Sequence, residues 1–387
     1  MGRRVGIEVS IAAAEAVGLC DVDVVAAYPI TPQTHVVEHL SELVADGHLD
    51  AEFVPVESEH SAMSVCCGSS AVGARTFTAT AAQGLALMAE IVFIASSMRF
   101  PVVMFLANRA LSAPLSIWND HSDTMMVRDC GWIQVFCENG QEVYDSIFHS
   151  FRVAEDPEVS LPVMINVDGF TLTHVIEPIE FWTKDMVRQY LPPFKPLVRL
   201  HPDKVVSMGA FGMPEIYAEQ RYAHDLAIAN SRPVIDKAWE EIAGLTGRKY
   251  TAVESYMTDG AETIVLAMGS LCETASLAVD GLREQGKKVG LVKLRLWRPF
   301  PVDDLKEALA GAKDVVVLDR AVSPGGGNAP VTSEIRAVMY HEPERPNIHC
   351  MIAGLGGRDV TPEDVCNMID LALTEKTRDY HIYGVRG

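Results

Sequence analysis

The chain has 387 residues, 48% of them hydrophobic and 22% charged. That is enough for two or three packed domains and too apolar for a disordered chain. Its formal net charge is -20, from 52 acidic against 32 basic residues, which opposes a general nucleic-acid binder because phosphate contacts need clustered Lys and Arg. Glu8 and Glu15 interrupt the apolar stretch that follows Arg3-Arg4, and Gly6 breaks the myristoylation pattern. No run of about 18 uncharged apolar residues occurs, so no membrane span is expected and the expected compartment is the cytoplasm.

In chain order, short apolar runs at 22–27, 52–57, 75–80, 101–107, 132–137 and 162–168 read as strands. The stretches 33–45, 59–73, 83–98 and 140–154 between them are long enough for crossover helices. Strands that are apolar throughout, alternating with helices, predict a parallel sheet covered on both faces. Thr31-Pro32 reads as a helix start, with Thr31 as N-cap, which places Tyr28-Pro29-Ile30-Thr31 at the C-terminal edge of the first strand. Residues 171–250 are proline-rich and then polar and helical over about 214–244, the pattern of an extended connector. From 262 the alternation resumes, with strands at 262–268, 288–294, 314–319 and 348–353 and helices at 270–285, 303–311, 328–340 and 361–374. The expected fold class is therefore α/β: two doubly wound, mostly parallel sheet domains, 1–170 and 251–387, joined by an arm over 171–250.

Several residues stand where such sheets bind ligands. Thr31 offers a hydroxyl at a helix start and either caps the helix or meets an anion. Glu59, in Glu57-Ser58-Glu59-His60, opens a helix at a strand's C-terminal edge, where a carboxyl group serves either proton transfer or the helix dipole. Arg109 ends the strand 101–107, where a guanidinium fork matches a carboxylate. Asp120, His121 and Asp123 lack a second cluster to complete a metal site, and turn capping is the better reading for them. No metal ligand is expected on this chain. The sequence contains no P-loop, no G-x-G-x-x-G after a strand, no G-x-S-x-G and no H-E-x-x-H. The eight cysteines include no C-x-x-C pair, so no iron–sulfur cluster is expected here either.

Taken together, Tyr28-Pro29-Ile30-Thr31-Pro32, Glu57-Ser58-Glu59, the segment 76–84, Asn108-Arg109, Ile117 to Asp123, Asp168-Gly169-Phe170 and Arg298-Pro299-Phe300-Pro301 resemble, in order, the α subunits of 2-oxoacid:ferredoxin oxidoreductases. The resemblance spans nearly the whole chain and is nearest to the pyruvate and 2-oxoisovalerate branch. It implies a thiamine diphosphate pyrimidine-type domain followed by a transketolase C-terminal-like domain. It further implies that Glu59 hydrogen-bonds the cofactor's aminopyrimidine, and that Thr31 and Arg109 contact the substrate, Arg109 through the carboxylate. His60 and Ser61 depart from the family's more usual Ala and Gly. The G-D-G…Asn motif that binds Mg²⁺ and diphosphate is missing at Val167-Asp168-Gly169 and at Thr258-Asp259-Gly260. By resemblance, the Mg²⁺ and the diphosphate then belong to a β-type partner, [4Fe-4S] clusters to β- and γ/δ-type partners, and the electrons go to ferredoxin. Oxalate is slightly favoured as substrate and pyruvate stands nearly equal. The alternatives are an E1 β-type subunit of an NAD-linked 2-oxoacid dehydrogenase and a non-catalytic scaffold subunit.

Overall fold

The computed structural model describes residues 2–374 and 380–386. The chain runs β1 (Arg4–Glu8), α1 (Val9–Leu19), β2 (Val24–Ala27), α2 (Thr34–Ala45), β3 (Glu52–Pro55), α3 (Glu59–Val72), β4 (Thr76–Thr80), α4 (Ala82–Ser97), β5 (Val103–Asn108), α5 (Ser122–Met126), β6 (Ile133–Phe136), α6 (Gly140–Ala154) and β7 (Val163–Asp168). It continues through β8 (Ile176–Glu180), α7 (Lys184–Tyr190), α8 (Pro214–Asn230) and α9 (Arg232–Thr246). The C-terminal part contains β9 (Val253–Tyr256), β10 (Thr263–Ala267), α10 (Leu271–Glu284), β11 (Val289–Leu294), β12 (Leu296–Arg298), α11 (Val302–Ala308), β13 (Asp314–Asp319), α12 (Pro330–Met339), β14 (Asn347–Ile352), α13 (Pro362–Thr374) and β15 (His381–Ile382).

The first large sheet has the order β12-β6-β7-β5-β4-β2-β3, parallel except for the edge strand β12. Strands β4 to β7 are buried at every residue, because helices cover both faces. Alternation along β5 sorts the two cores. Val103, Phe105 and Ala107 pack with α1, α2 and α6, whereas Met104 and Leu106 pack with α3 and α4. Each of the fully buried Val, Phe, Met and Leu side chains contributes about 1.5–3 kcal/mol before chain entropy is counted. The second sheet, β15-β14-β13-β10-β11-β9, is parallel except for β9. The expected doubly wound α/β architecture is therefore present twice.

Four features differ from the sequence expectation. Residues 4–8 form a strand that pairs antiparallel with β8 in a separate two-stranded sheet. Strand β12, from the C-terminal half, completes the N-terminal sheet alongside β6. The helix expected over 214–244 is two helices, broken at Ser231 before Arg232-Pro233, because proline fits a first turn and not a helix interior. Of these two, α9 buries Ile235, Ala238, Trp239 and Ile242 in the N-terminal core, while α8 buries only His224 and Ala227. Finally, Thr31 is not an N-cap. Helix α2 begins at Thr34 with Gln33 as its cap residue; Gln33 Nε2 donates to the Tyr28 carbonyl and its N–H to the Ile30 carbonyl. The loop closes around Gln33, and Thr31 is left exposed.

Candidate active site

Loops at the C-terminal edge of the first sheet hold the three candidate residues. Ser58 caps α3 by accepting the Ser61 N–H, which fixes Glu59 as the first helical residue. Glu59 is 6% exposed, and no side chain or backbone group among the described residues pairs with its carboxylate. It faces Gly84 in the first turn of α4; a Cβ on Gly84 would lie 2.8 Å from both Cγ and Oε1 of Glu59 and would overlap Thr80 Oγ1. Thr80 Oγ1 and Gln83 Oε1 are themselves buried without partners. His60 turns away towards Glu90 at 3.6 Å, and Ser61 Oγ donates to Glu57.

Arg109 stands across the sheet at the end of β5. Its Nε donates to the Ser116 carbonyl at 2.7 Å and its Nη1 to the Thr31 carbonyl at 2.9 Å. Thr31 and Arg109 are thus brought together, through the threonine backbone and not its hydroxyl. Burial lowers the Arg109 pKa from its ordinary value, with Asp123 opposing the shift. A guanidinium has five N–H donors in a planar fork, so this pinning leaves donors for an incoming carboxylate.

One residue links the two halves of the site. Asp123 is fully buried, and its Oδ2 accepts the N–H of Arg109 at 2.9 Å and of Ala82, at the start of α4, at 3.1 Å. Its Oδ1 accepts from Asn108 Nδ2 and from the Thr124 N–H. Burial pushes its pKa up to about 6 against these bonds. Its neighbour Asp120 accepts from Ser122 N and Oγ, which is turn capping as expected. The carboxylates of the 120–123 stretch are therefore occupied by protein donors. Among the described residues, no group of three or more His, Cys, Asp or Glu is arranged to hold a metal ion.

Asp168, in the segment where the Mg²⁺ motif was sought, is likewise spent on the protein. It accepts from His121 at 2.8 Å, from Arg320 Nη1 at 3.0 Å and from Ser270 N at 2.8 Å and Oγ at 2.5 Å. The Arg320 and His121 charges hold this carboxyl far below the usual range despite complete burial. Sequence reasoning missed Gly84, Asp168 and Arg320 as supports of the site. For Gly84 the only signal was its place in a run of small residues, and for Asp168 its place in the Asp168-Gly169-Phe170 motif; for Arg320 there was none.

Comparison with known proteins identifies the family. Residues 15–240 match the family described as pyruvate flavodoxin/ferredoxin oxidoreductase, thiamine diphosphate-binding, and residues 261–365 match the pyruvate:ferredoxin oxidoreductase core domain II. The chain belongs to the 2-oxoacid:ferredoxin oxidoreductase family, as an α-type subunit. It is 48% identical over 371 residues to the pyruvate synthase subunit PorA of Methanocaldococcus jannaschii, covering 95% of this chain and 94% of that one. It is 46% identical to PorA of Thermotoga maritima, with 96% of this chain and 94% of that one covered. The ketoisovalerate oxidoreductase subunit VorA of Pyrococcus abyssi is 44% identical, over 92% of this chain and 89% of that one. A 2-oxoglutarate:ferredoxin oxidoreductase from Magnetococcus marinus shares the fold with a TM-score of 0.69 at 20% identity, covering 95% of this chain and 65% of that chain. A split-gene transketolase superposes with a TM-score of 0.54 at 15% identity, covering 96% of this chain and all of that one. In this family the two α/β units are thus the thiamine diphosphate-binding domain and core domain II. Among the described residues, no helix is long and apolar enough to cross a membrane.

Proposed function

We propose that this α subunit carries the pyrimidine-facing and carboxylate-binding half of a thiamine diphosphate site that oxidatively decarboxylates pyruvate and passes electrons towards ferredoxin. The observation that carries the reading is the pairing of a buried, unpartnered Glu59 on one side of Asp123 with a pinned, donor-rich Arg109 on the other. When bound, thiamine diphosphate supplies a nucleophilic carbon and an electron sink that let the C1–C2 bond of a 2-oxoacid break. Glu59 is the group that would hold a proton at the aminopyrimidine, and the buried Thr80 and Gln83 side-chain oxygens likewise lack partners. Arg109 would fix the substrate carboxylate, with the Thr31 hydroxyl beside it. Pyruvate is preferred to oxalate because relatives that match over nearly their whole length are pyruvate synthase subunits, with a ketoisovalerate oxidoreductase subunit beside them.

The complete engagement of Asp168 supports placing the diphosphate and Mg²⁺ on a β-type partner, with the [4Fe-4S] clusters on that chain and on γ- or δ-type chains. The cytoplasm is the proposed compartment, since eight unpaired cysteines suit a reducing environment. The dehydrogenase and scaffold alternatives have no specific observation in their favour.

The test uses the complex assembled with its partner chains. Glu59→Gln should leave assembly intact and reduce pyruvate-dependent viologen reduction by about 10²–10⁴-fold, the usual span of a lost acid–base group. Turnover near wild type would remove Glu59 from the chemistry. In the same assay Arg109→Ala should raise KM for pyruvate; an unchanged KM would remove Arg109 from the pocket.

A further inference from the structure

We propose that core domain II positions Arg109 from outside the pocket, by clamping the loop 110–121 against Gly356-Gly357 and Arg320. This rests on the reading of Arg109 as the carboxylate-binding residue.

The loop leaves Arg109 and returns to it. Ala110 N donates to the Trp118 carbonyl at 2.9 Å, and the Ser116 carbonyl holds Arg109 Nε. The position of the guanidinium therefore depends on where residues 116–118 lie. Within the N-terminal domain that stretch has few supports: Leu115, Ile117 and Trp118 are exposed, and Trp118 rests on Phe170 at 4.6 Å between ring centroids.

Firmer bonds come from core domain II. Gly357 N donates to the Asn119 carbonyl at 2.6 Å, Gly356 N donates to Asp120 Oδ2 at 3.3 Å, and His121 N donates to the Arg320 carbonyl at 2.9 Å. The Asn119 amide, oriented to satisfy both neighbours, accepts from Arg320 Nη1 and Nη2 at 2.9 and 3.0 Å and donates to Thr171 Oγ1. Arg320 is in turn locked on Asp168, beside Asn108 in the β5–β7 register. Three consecutive residues of the loop are thus fixed from the second domain, immediately after the turn that holds Arg109.

Glycine is required at the contact. Gly356 and Gly357 have φ of +57° and +76°, and a Cβ on Gly357 would overlap Trp118 Cβ and sit 3.1 Å from its Cγ. A methyl group there must push residues 118–119, and with them the Ser116 carbonyl. Gly325 provides the control: it has φ +77° in the same domain with nothing within 4 Å of an added Cβ, so its alanine variant carries the same backbone strain and no push.

The experiment compares Gly357→Ala with Gly325→Ala in the assembled complex, reading KM and kcat for pyruvate, thiamine diphosphate content and melting temperature. The clamp predicts KM raised about tenfold or more for Gly357→Ala alone, in line with the cost of sub-ångström misplacement of a binding group. Cofactor content and kcat should change much less. Should Gly357→Ala fail to assemble, Arg320→Lys serves instead: it keeps the charge against Asp168, loses the fork on Asn119, and is expected to raise KM in the same way. A Gly357→Ala/Arg109→Ala double variant should show no KM increase beyond Arg109→Ala. A KM for Gly357→Ala within twofold of the Gly325→Ala control, while Arg109→Ala raises KM, overturns the clamp and spares the Arg109 assignment. Unchanged KM in Arg109→Ala overturns the assignment and the clamp with it.

Discussion

Replacing Gly84 by alanine separates the needs of the site from those of the fold. The added Cβ would lie 2.8 Å from Glu59 Cγ and Oε1 and would overlap Thr80 Oγ1. Relief requires Glu59 to withdraw by roughly 0.5–1 Å, because ordinary carbon contacts begin near 3.5 Å. Overpacking of this kind costs about 1–3 kcal/mol. Alanine in a helix returns about 1 kcal/mol relative to glycine, leaving a net loss of roughly 0–2 kcal/mol. At about 2–4 °C per kcal/mol for a domain of this size, the melting temperature should fall by less than about 8 °C. A catalytic group displaced by about 1 Å can lose about 10²-fold in rate. Gly84→Ala should therefore assemble, melt close to wild type and turn over pyruvate about a hundredfold more slowly. The assays are thermal unfolding of the subunit and viologen reduction by the complex. Turnover within threefold of wild type would refute the claim that Gly84 keeps space for a working Glu59.

Three other outcomes follow from the same geometry. Arg109→Lys should raise KM for pyruvate nearly as much as Arg109→Ala, because an ammonium cannot serve the Ser116 and Thr31 carbonyls and a carboxylate in one plane; a KM near wild type would show that the fork is not used. Burial pushes the Asp319 carboxyl up to about 6, against an unfolded value near 4, although it accepts from Val331 N and Thr332 N. The folded chain then holds this proton across roughly pH 4–6, so the group's contribution to stability declines as pH rises through that window and is constant above it. Asp319→Asn should flatten the pH dependence of the unfolding midpoint over that range, and an identical slope in both proteins would contradict the assignment. Arg75, paired with Glu155 at 2.6 Å and donating to the Cys20 and Pro192 carbonyls, should cost about 3–5 kcal/mol on replacement by Met, because a buried carboxylate is left alone; a midpoint within 2 °C of wild type, by the same conversion as above, would count against it.

The sequence by itself determined the two α/β units and nearly every buried strand, and it singled out the three residues proposed here for the site. Those signals are local: a strand such as 103–108 is apolar at almost every position because both its faces are covered, and Glu59 and Arg109 mark where strands end. Even Asp120 could be read correctly, since its turn is closed by Ser122 two residues away. Tertiary structure decided what depends on distant partners. The strand 4–8 exists because residues 176–180 pair with it, and the three residues 296–298 are a strand only because β6 offers its edge. Thr31 carries the marks of a cap, but Gln33 takes the turn and the Thr31 carbonyl goes to Arg109, 78 residues away. Asp168 and Arg320 are 152 residues apart, and no local pattern indicates that they meet. Periodicity reports which face of an element is buried, whereas a buried polar bond is specified by where two separate elements come to rest.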